Sequence, residues 1–67
     1  MNIECIDETV VPTVRAVLQN YPMSEVRQQG PNFGSRMIWI MVNPIGSDDQ
    51  ERTMRREIAS IAGAIIH

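Results

Sequence analysis

The feature that most constrains this chain is a run of six large apolar residues in the middle of the sequence. In a β-strand, successive side chains point to opposite faces of the sheet. The run therefore divides into two faces, with Met37, Trp39 and Met41 on one and Ile38, Ile40 and Val42 on the other. A strand with two apolar faces is typical of a sheet that is buried on both sides. The fold must cover both faces or leave one as an apolar surface.

The length of the chain limits how much surface it can bury. With 67 residues it is too short for two domains of ordinary size, so we expect a single domain over residues 1–67. Such a chain buries only about 60% of the surface that its unfolded form exposes. Its stability margin is thin, and self-association is a common way for small domains to gain stability.

The residues before the apolar run predict a strand, a helix and a second strand. Ile3, Cys5 and Ile6 form a short apolar opening with imperfect alternation, which indicates a strand. The apolar side chains of the first helix recur at helical spacing: Val10, Val14, Val17, Leu18 and Tyr21. Asp7 or Thr9 is placed to cap this helix, and it ends before Pro22, because the residue preceding a proline is pushed out of the helical conformation. Residues 24–29 predict an edge strand that enters a turn rich in glycine and proline.

The sharpest local signal is a capping box from Ser47 to Gln50, which starts a second helix. The apolar face of this helix is marked by Met54, Ile58, Ile61 and Ile65, and its polar face carries the pairs Asp48 with Arg52 and Glu51 with Arg55. We expect the helix to run to about Ala62. Gly63 suits the left-handed position just after a helix end, which leaves residues 64–67 for a possible last strand.

The predicted order of elements is strand, helix, strand, strand, helix and a possible further strand. This βαββα(β) order is the split pattern of ferredoxin-like folds, and it predicts an α+β domain with two helices on one face of a small antiparallel sheet. Two helices cover only one face, so the other apolar face of the central strand would stay open. Burying a large apolar side chain is worth about 1.5 to 3 kcal/mol, and soluble monomers rarely leave several together in water.

The sequence offers little for catalysis or for binding a metal. Its one histidine is His67, at a chain end of the kind that usually frays, whereas a catalytic triad needs a base beside its nucleophile. No basic residue precedes Arg15, so Cys5 is expected to be a buried and unreactive thiol. The acidic residues from Asp48 to Glu51 lack the spacing of a calcium loop. We expect a protein that is not an enzyme and uses no metal or cofactor.

The arginines are the candidates for contacts with an anion, because guanidinium groups bind phosphate oxygens in pairs of hydrogen bonds. The candidate positions are Arg27, Arg36, Arg52, Arg55 and Arg56. A net charge of −2 gives no long-range field that would gather a nucleic acid, and binding of one is expected to be unlikely. A nucleic-acid-binding module that also stacks bases on Trp39 and Phe33 is therefore the alternative interpretation.

The sequence contains no signal for export or membrane insertion. Its start is acidic, and its longest strongly apolar run is far shorter than the roughly 20 residues that span a bilayer. A single cysteine cannot form an intramolecular disulfide and fits a reducing compartment. We therefore expect a cytoplasmic protein without a membrane partner.

The function that the sequence favours is a small, non-enzymatic protein-binding or regulatory module. We expect it to self-associate, as a homodimer, through the open face of its sheet. The predicted contact residues are Met37, Trp39, Met41 and Phe33, and methionine and aromatic residues are enriched at the centres of interfaces. A small-ligand-sensing domain with its pocket at a dimer seam is a further possibility. The sequence leaves open whether the partner is a second copy or another protein.

Overall fold

The computed structural model describes the backbone of residues 1–67 and every side chain except that of Ser24. Four strands and two helices follow one another along the chain: β1 (Asn2–Cys5), α1 (Val11–Leu18), β2 (Met23–Gln29), β3 (Ile38–Pro44), α2 (Asp48–Ala59) and β4 (Ala64–Ile66). The prediction of a small α+β fold is confirmed, and the possible last strand is formed.

The four strands make one antiparallel sheet in the order β2-β3-β1-β4. β3 therefore lies between β1 and β2, and β1 lies between β3 and β4, so the two strand–helix–strand segments interleave. The pairing register places Ile3 opposite both Ile40 and Ile66, and Val26 opposite Val42. β2 and β4 form the two edges of the sheet, and the edge position of β2 agrees with the prediction.

Both helices pack on the same face of this sheet. The buried residues of the strands are Ile3, Cys5, Ile38, Ile40, Val42 and Ala64, and those of the helices are Val11, Val14, Leu18, Met54 and Ile58. Together they form a single apolar cluster. Of the two apolar faces of β3, the helices therefore cover the one that carries isoleucine and valine.

The predicted capping box starts α2. The Ser47 hydroxyl oxygen accepts a hydrogen bond from the backbone N–H of Gln50 at 3.2 Å, and Gln50 Oε1 accepts one from the backbone N–H of Ser47 at 2.9 Å. The helix ends at Ala59 and not near Ala62, because the backbone then tightens into turns that lead to β4. Gly63 has the predicted left-handed conformation, with φ +89°.

The predicted start and end of α1 are wrong. Neither Asp7 nor Thr9 caps the helix, because the carboxylate of Asp7 accepts hydrogen bonds from the hydroxyl and, at 2.9 Å, the backbone N–H of Thr9 in the turn before it. The N-terminal boundary is Val10, which has no side-chain cap. Tyr21 lies beyond the end of α1, where its hydroxyl donates to Glu57 Oε1 at 2.6 Å.

Two predictions for the second helix also differ from the structure. Ile65 does not extend the apolar face of α2, because the turn at Gly63 places it in β4 on the opposite face of the sheet. Arg52 pairs with Asp49 at 3.1 Å and not with Asp48, since residues three apart on a helix are also neighbours.

Candidate interaction surface on the open sheet face

The face of the sheet opposite the helices carries two rows of side chains that run across the strands. Directly paired residues of antiparallel strands point to the same face. The register therefore makes one row of Gln29, Trp39, Glu4 and Ile65, and a second row of Arg27, Met41 and Asn2. We call this surface the open face. Met37 lies just before β3 and is partly buried.

Trp39 lies at the centre of the open face. It has Met41 beside it along β3, and Gln29 and Glu4 opposite it on the neighbouring strands. Trp39, Met37 and Met41 are partly buried and lie outside the apolar cluster under the helices, and Ile65 is 54% exposed. The pairing register thus places Trp39 and Met41, two of the four predicted contact residues, on one surface.

The side chain of His67 packs against this tryptophan. The two ring centroids are 5.1 Å apart, and His67 Nε2 lies 3.0 Å from Glu4 Oε1. The backbone N–H of His67 also donates to the carbonyl of Asn2 at 2.8 Å. His67 is therefore a fixed part of the open face, although its terminal position indicated a frayed end. Together with Glu4 it explains why Trp39 is less exposed than an uncovered sheet face would leave it.

Charges of both signs surround the apolar centre. On β2, Glu25 and Arg27 form an ion pair at 2.9 Å, and the hydrogen bond from the guanidinium to Glu25 raises the pKa of Arg27. Both side chains are mostly exposed to water, where an ion pair contributes little to the stability of the fold. On the far side of Trp39, Glu4 faces His67. The rim is therefore polar and carries charged groups on both sides of the tryptophan.

The fourth predicted contact residue, Phe33, lies elsewhere. It belongs to the loop between β2 and β3 and is fully exposed. Two glycines of this loop, Gly30 and Gly34, adopt positive φ angles of 96° and 81°, as its turn chemistry predicts. A role for Phe33 in an interface stays a prediction.

The five candidate arginines do not come together. Arg27 is on the open face and Arg36 is in the loop between β2 and β3, whereas Arg52, Arg55 and Arg56 are on α2 in the helix layer. Arg52 and Arg55 already pair with the carboxylates of Asp49 and Glu51, at 3.1 and 3.7 Å. Of the five, only Arg27 belongs to the two rows that contain Trp39 and Met41.

A cleft of about 360 Å³ lies between the loop after β1 and the loop after β2. Its walls are Asp7, Glu8, Thr9, Pro31, Ser35 and Arg36. Hydrogen bonds from the side chain and backbone of Thr9 lower the pKa of Asp7, and the positive charge of Arg36 lowers it further. The remaining candidate for chemistry, Cys5, is completely buried, and this burial raises the pKa of its thiol. Neither feature adds a nucleophile with a neighbouring base.

Among the residues that the structure describes, no three histidine, cysteine, aspartate or glutamate side chains converge as a metal site requires. Within the same residues, neither helix has the length and apolar character needed to cross a membrane. In comparisons with known proteins, no family model matches the chain, and neither a curated protein nor a solved structure matches it significantly.

Proposed function

We propose that this chain is a small protein-interaction module that associates with a second copy of itself through the open face. The observation that carries the proposal is the position of Trp39, at the centre of a sheet face that both helices leave uncovered. Met41 and the half-exposed Ile65 extend the apolar surface around it. Tryptophan and methionine at the centre of a patch with a polar rim are typical of interfaces.

The charges on the rim favour a second copy as the partner. Arg27 lies on β2 and Glu4 on β1, so opposite charges flank β3. A two-fold axis along β3 would place the Trp39 rings of the two copies against each other. The same rotation would bring Glu4 of each copy over Gln29 on β2 of the other, with Arg27 in the next row. Such an isologous contact is the commonest way in which soluble chains pair.

We also infer that the architecture is ferredoxin-like. The order of elements along the chain and the interleaving of the two strand–helix–strand segments support this inference. The fold by itself does not carry a function, because such architectures serve many unrelated roles. The proposal on function therefore rests on the open face alone.

The replacement Trp39→Glu tests the proposed function. In an open-face pair the new carboxylate would be buried without a cation, which costs several kcal/mol, whereas in a single copy it would meet water. We expect the variant to keep its helical circular dichroism spectrum and its molar mass in light scattering to fall to half that of the wild type.

The matched control is Ile45→Glu. It adds the same charge at a side chain that is 61% exposed, in the loop after β3 and outside the two rows of the open face. Its molar mass should equal that of the wild type. A Trp39→Glu protein that is folded and unchanged in molar mass would refute association through the open face.

A further inference from the structure

We propose a second contact between copies of this chain, in which the exposed edge of β2 pairs antiparallel with β2 of another copy around a two-fold axis at Val26. This contact goes beyond the association through the open face and does not depend on it. β2 has seven residues and pairs on one side only, with β3. Its other side is a row of backbone groups that a further strand can complete.

The hydrogen bonds of β3 show which groups of β2 point outward. The N–H and C=O of Val42 both bond to Met1, at 2.9 and 2.8 Å, so they point toward β1. Val42 and the opposite residue Val26 are therefore a pair without hydrogen bonds between them, because the two kinds of pair alternate along an antiparallel ladder. By the same alternation the N–H and C=O of Val26 and Gln28 point away from the sheet, where a second β2 would meet them.

When two β2 strands pair antiparallel, one register places the acidic side chain of each copy opposite the basic side chain of the other. Rotation about Val26 places Glu25 of each copy opposite Arg27 of the other, on the side of the open face. This is the pair without hydrogen bonds, in which facing side chains lie closest together. Glu25 is 60% and Arg27 69% exposed, and within one copy they pair with each other at 2.9 Å; in the proposed contact each side chain exchanges this partner for the one on the other copy. A shift by two residues would oppose Glu25 to Glu25 or Arg27 to Arg27, and like charges therefore disfavour the alternatives.

On the helix side of the same edge, the guanidinium of Arg15 on α1 donates to Gln28 Oε1 at 3.2 and 2.8 Å. A cleft of about 260 Å³ lies between α1 and β2, and its walls are both polar and apolar, the apolar part being formed by Leu18, Met23 and Val26. Val26 is only partly buried there. In the proposed pair the two Val26 side chains meet beside this cleft and remove each other from water. The irregularity of β2 lies between Met23 and Val26, and the rotation opposes position 28 of each copy to position 24 of the other, so the new hydrogen bonds are expected between the two Val26 residues.

Pairing at this edge would also enlarge the open face. Four strands about 4.8 Å apart give a face roughly 19 Å wide. A two-fold axis perpendicular to the sheet joins two such faces side by side on one eight-stranded sheet. Two of these sheets stacked through their open faces would contain four copies.

The test uses a Trp39→Glu background, which removes the open-face contact. We expect this protein to form pairs in analytical ultracentrifugation. Adding Arg27→Glu opposes two carboxylates at both ends of the contact and should weaken the pair about tenfold or more. Adding Glu25→Arg as well reverses both charges, which restores the complementary pattern and should restore the pair. Arg52→Glu, which changes the net charge equally on exposed α2, is the matched control and should have no effect.

An equimolar mixture gives a sharper result. A copy with Glu25→Arg and a copy with Arg27→Glu should each stay single, whereas the two together should form mixed pairs. A Trp39→Glu protein that is single at every concentration would overturn the edge contact, and so would a pair that survives Arg27→Glu or a charge exchange that fails to restore it. If Trp39→Glu leaves a wild-type pair unchanged in mass and the charge variants then break that pair, only the open-face proposal fails.

Discussion

The two faces of β3 come from neighbouring residues of one strand and yet differ in nearly every property. The covered side carries Ile38, Ile40 and Val42, which are at most 5% exposed, and the open side carries Trp39 and Met41, which are partly buried. Side chains branched at Cβ have few rotamers and fill a fixed space, whereas methionine is flexible and adapts to the surface it meets. This difference is what the proposed association requires, with one side packed against the helices and the other able to meet a second copy.

The polar groups on the two sides differ in the same way. Among the described side chains, none that is buried is polar or charged, so the covered side is purely apolar. The open side surrounds Trp39 with groups that hydrogen-bond or pair, such as Glu4 with His67 and Glu25 with Arg27. Such a surface stays compatible with water when it is uncovered. It therefore suits association that can be reversed.

The largest loss of stability is expected from a cavity on the side of β3 that the helices cover. Ile40→Ala should lower the free energy of unfolding by about 2 to 5 kcal/mol, because Ile40 is completely buried and a cavity would remain. Met41→Ala is its neighbour on the open side and should cost only about 0.5 to 1 kcal/mol. Chemical denaturation at low protein concentration measures both, since association then contributes little. Equal losses would show that the two faces of β3 are not energetically distinct.

A smaller loss of stability is expected from removing the N-terminal cap of α2, one of the two helices that cover the sheet. Ser47→Ala removes the hydroxyl that accepts from the N–H of Gln50 and should cost about 1 kcal/mol. Because Ser47 lies outside the open face, the molar mass of the folded protein should not change. A denaturation midpoint equal to that of the wild type would mean that the capping box does not help to hold α2 on the sheet.

The smallest expected effect depends on pH and concerns the turn that leads into α1. The hydrogen bonds from Thr9 and the charge of Arg36 lower the pKa of Asp7 in the folded state, so its ionised form stabilises the fold at neutral pH. This contribution is present above the ordinary aspartate pKa of about 3.9 and is lost as the pH falls through the lowered folded value. Asp7→Asn should therefore lower the thermal midpoint more at pH 7 than at pH 2.5. An equal difference at both values would exclude a role for its charge.

Local patterns in the sequence predicted most of the fold. The period of two from Met37 to Val42 identified β3 and its two faces, and the sequence from Ser47 to Gln50 identified the start of α2, because each of these signals is contained in a few neighbouring residues. The class of the fold followed from the order of such elements. The start of α1 was missed because Asp7 and Thr9 bond to each other instead of to the helix, and sequence spacing does not distinguish these two uses of an aspartate.

The composition of the open face could be predicted only in part. Trp39 and Met41 follow from alternation within one strand, but Glu4, Ile65 and His67 reach the same surface through the pairing of distant strands. That pairing depends on the register, which no local pattern determines. The alternation of Glu4 with the apolar residues on either side of it indicated that Glu4 points away from the core. It placed Glu4 on the open face only once β1 was known to pair with β3.

The interleaving of the strands has a consequence for how fast this chain can fold. Residue 3 in β1 pairs with residue 66 in β4, so the sheet closes only when the two ends of the chain meet. Closing such a long loop costs conformational entropy before the stabilising contacts between β1 and β4 have formed. Chains dominated by non-local pairing fold slowly compared with helical bundles of similar size. Until β4 docks, the other edge of β1 is unpaired, and this central strand is then the place where two folding chains would join wrongly.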